Sequence, residues 1–195
     1  MEIHPITWII PIAGLAAIAF ALYLAWDVLR ADIGTPAMQE IAGTIFEGAV
    51  AFIRRQYRTI GLLAIGGAVL IGLVIALVEG KDVADTNIYG AGLGIRTGIA
   101  FLVGAACSMA SGIIGMFISV KSNLRTAAAA RSSLVRAVQV AMRGGAVSGF
   151  LVVALSPLGV SSIFTAYGGF THPEQAPFPS LGFGFGPTPS PLFPQ

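Results

Sequence analysis

Arg54-Arg55-Gln56-Tyr57-Arg58 runs directly into Thr59-Ile60-Gly61-Leu62-Leu63-Ala64-Ile65-Gly66-Gly67-Ala68, and no further charge follows until Glu79. A helix rises about 1.5 Å per residue, so the roughly 20 residues from Thr59 to Val78 are enough to cross a hydrocarbon core about 30 Å thick. Outward from this stretch, the same pattern of cations against an uncharged run repeats. Residues 5–26, 97–120 and 144–171 carry no charge, and nine of the eleven Lys and Arg lie between Arg30 and Arg58 or between Lys121 and Arg143.

These runs define an all-α integral membrane protein with four transmembrane helices, at about 6–26, 59–78, 97–120 and 145–167. The connections 27–58 and 121–144 hold the basic residues, which are retained on the cytoplasmic side. The first and third connections of a four-pass array share one side, so chain order and charge agree. The N-terminus, the Glu79 to Arg96 loop and the tail after about Thr171 are then extracytoplasmic, whereas Arg54 and Arg136 are cytoplasmic. In a prokaryote this is the cell membrane.

Composition points to the same class, with 55% hydrophobic and only 10% charged residues. The net charge of +2 is accounted for by the orientation signal, so nucleic acid is not a partner. Residues 1–26 lack the basic leader of a secretory signal and carry Glu2 and His4 instead, which fits a first span. Cys107 is the single cysteine, which rules out an internal disulfide.

Thr35-Pro36 marks a helix start, a hydroxyl cap followed by proline at the first helical position. From there Met38, Ile41, Ile45, Ala49 and Phe52 share one face and Glu40, Glu47, Arg54 and Arg58 the opposite one. Because Arg58 leads straight into the second span, the expectation is one long helix; either its charged face is merely solvated, or its apolar stripe packs against helices absent from this chain. In the second basic window, projected as a single helix, Lys121, Arg125, Arg136 and Arg143 fall in one sector and Leu124, Val135, Val138 and Met142 in another. Arg131 breaks that pattern, and Ser132-Ser133 are placed to interrupt the helix. The window contains no acid, and contact with lipid headgroups is its simplest use.

Gly104, Ser108 and Gly112, with Ser111 and Gly115, form small-residue ladders suited to close helix contact. No acidic or basic residue sits near the middle of a span, although an ion path usually retains one. The spans therefore read as scaffold. Pro157 is expected to kink the fourth. His4 and His172 stand at opposite ends of the chain without clustered ligands, His172 with Glu174 reads as a solvated turn, and no set of nucleophile, base and orienter is present. No residue is assigned a catalytic, cofactor-binding or metal-binding role.

Several stretches resemble the membrane-bound, ion-translocating inorganic pyrophosphatases. One is Met38 to Tyr57, containing Glu47-Gly48-Ala49, Phe52 and Arg55-Gln56-Tyr57. Others are Gly104-Ala105-Ala106-Cys107-Ser108-Met109-Ala110-Ser111-Gly112-Ile113-Ile114-Gly115-Met116, then Asn123 to Ala130, then Arg143-Gly144-Gly145-Ala146-Val147. Gly182-Phe183-Gly184-Phe185-Gly186 is similar to the opening of the family's fifth helix, so 172–195 reads as a truncated start of a fifth span. Pro187, Pro189, Pro191 and Pro194 depart from the family's small and apolar residues there.

The resemblance implies the N-terminal, peripheral part of a larger helical bundle, a homodimer at full length. That bundle hydrolyses magnesium pyrophosphate and moves protons or sodium ions out of the cytoplasm. Mg2+ and pyrophosphate would be held by regions beyond these residues, so the fragment itself is expected to be inactive. Its partners are then the lipid bilayer and the pump's remaining helices. The alternative is a self-contained four-helix assembly subunit without enzymatic activity.

Overall fold

The computed structural model describes residues 8–78, 90–168 and 182–184. It is all-α, with four long helices, α1 (Ile9–Leu29), α2 (Pro36–Val78), α3 (Gly90–Ala130) and α4 (Leu134–Ala166), and a short helical turn at 182–184. All four are long and apolar enough to cross a membrane. At about 1.5 Å per residue α1 just matches a hydrocarbon core, whereas α2 and α3, with 43 and 41 residues, run to about twice its thickness. The surface is correspondingly oily. Leu15, Leu22, Leu62, Val69, Leu77 and Val153 are all more than 60% exposed, as side chains meeting lipid or further helices must be.

The helix ends follow their sequence signals. Before α2, the Gly34 amide donates to Asp32 Oδ1 at 3.1 Å, and Gly34 holds a φ of 73°, the left-handed conformation that favours glycine. The Met38 amide then donates to Thr35 Oγ1, so Thr35 caps the helix that Pro36 opens. As expected, α2 continues without a break through Arg58. The chain turns at 131–133, where Ser133 caps α4 by accepting from the Arg136 amide. That turn corrects the single-helix projection of the second basic window: Lys121 and Arg125 belong to α3, Arg136 and Arg143 to α4. A second correction concerns Arg96, which lies inside α3 and not in a loop.

Internal contacts divide the chain into two units. In the unit containing Tyr57–Met109 and the residues after Leu155, α2 meets α3 along Ala64, Ala68, Phe101 and Ala105. A Cβ on Gly94 would strike the Gly72 carbonyl, and one on Gly98 would lie 3.1 Å from the Ala68 carbonyl, so backbones approach closely along this seam. Phe183 is 2% exposed, packed with Ala100 and Ile163 and fitted where Gly104 and Gly159 leave room. The tail therefore holds a packed anchor at 182–184. Pro157 is accommodated within α4.

In the other unit, Ile12–Gln56 with Ala110–Ala154, Ala21 and Leu24 of α1 pack with Ile118 of α3 and Val147 and Leu151 of α4. Gly115 faces Ser148, and Gly144 faces Ser122, whose hydroxyl donates to the Val140 carbonyl at 3.3 Å. Phe46 of α2 meets Phe117 of α3 edge to face, with ring centroids 5.5 Å apart. The half-buried face of α2 here runs through Met38, Ala42, Phe46, Ala49 and Ile53. Ile41 (64%), Ile45 (55%) and Phe52 (43%) of the expected stripe stay exposed, one step around the helix from the contact.

Candidate functional site

Three helices of the second unit change from uncharged to charged at a shared level. α1 has no charge from Ile9 through Trp26 and then has Asp27; α3 has none from Thr97 through Val120 and then has Lys121; α4 has none after Arg143. The contacts tie these points together. Arg143 forms an ion pair with Asp27, so the first charge of α1 meets the last of α4. The Arg125 guanidinium donates through Nε and Nη2 to the Leu29 carbonyl, at 3.3 and 3.0 Å, and through Nη1 to the Lys121 carbonyl at 2.9 Å. A cation on the terminal carbonyl of α1 satisfies an orphan acceptor and complements the helix dipole.

The aromatic residues stand where a bilayer interface would want them. Arg30 lies 3.7 Å from the centre of the Trp26 ring, and Lys121 Nζ lies 4.6 Å from that of Phe117 and 5.8 Å from that of Phe46. A lysine lying on aromatic faces keeps its stem in apolar surroundings while its ammonium stays at the boundary. Beside it, Ile33, Gln39, Phe46, Val120, Leu124 and Arg125 help to line a cavity of about 300 Å³ that no carboxylate enters. Arg131 and Arg136 are exposed on the turn and the first turn of α4.

The remaining candidates are dispersed. Ser111 is buried within α3, consistent with helix contact, and Ser108 lies half-buried one turn earlier. Cys107 packs beside Ala100, Ile163 and Phe183. His4, Glu79, His172 and Glu174 lie outside the described residues. Among the described residues no three His, Cys, Asp or Glu side chains are grouped to hold a metal ion. Two polar ties went unread in the sequence, the Asp27–Arg143 pair and the Arg125 cap. The sequence signal of the first is an acid and a cation at the ends of uncharged runs, and Arg125, four residues past such an end, carries none.

Known proteins match this sequence. Residues 15–195 fit the family model described as inorganic H+ pyrophosphatase. The chain belongs to that family. Across all 195 residues it is 48% identical to the K(+)-insensitive pyrophosphate-energized proton pump 2 of Moorella thermoacetica, of which it covers 26%. It is 42% identical over 191 residues (96% of the chain) to the K(+)-insensitive pyrophosphate-energized proton pump of Caldanaerobacter subterraneus subsp. tengcongensis, again covering 26% of that protein. The pyrophosphate-energized membrane proton pump 3 of Arabidopsis thaliana is 31% identical over 98% of the chain, which covers 25% of its length. This H+ pyrophosphatase chain thus spans about a quarter of the length of the curated relatives it matches. No solved structure matches it.

Proposed function

We propose that these helices are the amino-terminal, peripheral part of a membrane pump that couples pyrophosphate hydrolysis to proton movement out of the cytoplasm without a requirement for potassium. The family match over residues 15–195 carries this reading, and four relatives named as K(+)-insensitive proton pumps favour protons over sodium. Phosphoryl transfer to water needs cations to hold the phosphates and, in magnesium-dependent enzymes, carboxylates to hold the metal. Here the boundary cations cap and orient helices, so Mg2+, pyrophosphate and the chemistry belong to the larger part of the pump, a homodimer at full length.

Packing supports a peripheral role. The first half of α2 passes the boundary of the uncharged run of α3, with Gln39 beside Lys121 and Arg125 and Phe46 against Phe117. Its exposed Glu47 and Arg54 are costly against lipid, which argues that this face turns to the rest of the pump. With the basic ends of α3 and α4 cytoplasmic, the N-terminus and the tail are extracytoplasmic.

The test uses inverted vesicles bearing a protein of the relatives' length that contains these helices. Pyrophosphate should acidify the lumen equally with and without potassium. Acidification that requires potassium, or sodium uptake in place of acidification, would overturn the assignment.

A further inference from the structure

The cavity beside Lys121 is not explained by helix packing. Its two cations, Lys121 and Arg125, come from successive turns of α3, and no carboxylate lines it. Arg125 spends one donor from each guanidinium nitrogen on the Leu29 and Lys121 carbonyls, which leaves two N–H groups of its fork. The Lys121 ammonium rests on the faces of Phe117 and Phe46. An ammonium and part of a guanidinium facing an apolar hollow want an anion that brings hydrocarbon with it.

We infer that this cavity binds an anionic phospholipid, with its phosphodiester on Lys121 Nζ and the free Arg125 hydrogens and its acyl chain against Ile33, Phe46, Val120 and Leu124. Depth selects a lipid over a free anion. Lys121 ends the uncharged run of α3, and Arg125 reaches the last carbonyl of α1, a helix just long enough to cross the hydrocarbon core, so both cations stand at headgroup level. The Arg143–Asp27 pair marks the same boundary on α4. Charge favours a lipid over a neutral apolar helix, which would leave both cations without a counter-ion. The inference rests on membrane embedding and not on the pump reading, so each can fail alone.

Native mass spectrometry of the intact pump polypeptide carrying these residues, in mild detergent doped with phosphatidylglycerol or phosphatidylcholine, tests it. The wild type should retain phosphatidylglycerol in clear excess over phosphatidylcholine. Lys121→Gln should lower that excess about fivefold, the worth of one cation at an anionic surface. Lys121→Arg should preserve it, as should Arg131→Gln, which removes an exposed cation outside the cavity. Inorganic phosphate at millimolar concentration should not displace the lipid. Equal retention of the two lipids by the wild type, as would follow if another helix of the pump filled the cavity, overturns the proposal without depending on any variant. So does unchanged phosphatidylglycerol retention in Lys121→Gln, or displacement by phosphate, which would mark a free-anion site.

Discussion

At the residue scale, the close backbone approach of α2 and α3 depends on glycines that the sequence did not bring forward. Gly94 lies in the stretch read as a loop, because the third span was bounded by the charge on Arg96. Packing against Gly72 makes those same glycines an asset and keeps the segment helical. Gly94→Ala should therefore force α2 and α3 apart, at a cost of about 1–3 kcal/mol for overpacking. Gly61→Ala, where an added Cβ meets nothing within 4 Å, should be neutral or slightly stabilising. Retention of a monodisperse size-exclusion peak after heating separates the two variants; equal behaviour would contradict the seam. The polar ties were illegible for a different reason. Asp27 and Arg143 stand 116 residues apart and Arg125 and Leu29 stand 96 apart, so only the fold brings them together.

At the scale of elements, the four helices were legible because uncharged runs of membrane length are a strong, local signal. The contact face of α2 was legible in part, since Met38 and Ala49 of the expected stripe are half-buried. Periodicity finds the most hydrophobic stripe, Ile41, Ile45 and Phe52, but in a bilayer an apolar stripe has no need to be buried by protein. Within the chain, contact goes to Ala42 and Phe46 alongside Met38 and Ala49. The break at Ser132-Ser133 could be anticipated from residue type, and its mechanism is a cap. Ser133→Ala removes the acceptor for the Arg136 amide at the start of α4. At 3.4 Å that bond is long, so the loss should fall near the low end of cap energies, about 0.5 kcal/mol, read as a small drop in thermal midpoint. A large loss of folded protein would show that the turn carries more than a cap.

At the scale of the whole molecule, family membership was legible from motifs spread along nearly the full chain, while the reaction could be read from no cluster of residues and came only as what the resemblance implied. Orientation belongs to this scale too. With the α3–α4 turn cytoplasmic, Arg136→Cys should resist a membrane-impermeant maleimide in intact cells and react after permeabilisation; labelling in intact cells would invert the topology. On the proposed function, these helices are scaffold for a pyrophosphate-driven pump whose reaction is performed elsewhere. Pyrophosphate hydrolysis by membranes containing residues 1–195 alone tests it most directly. The account predicts phosphate release at the level of control membranes, and magnesium-dependent release above that level would contradict it.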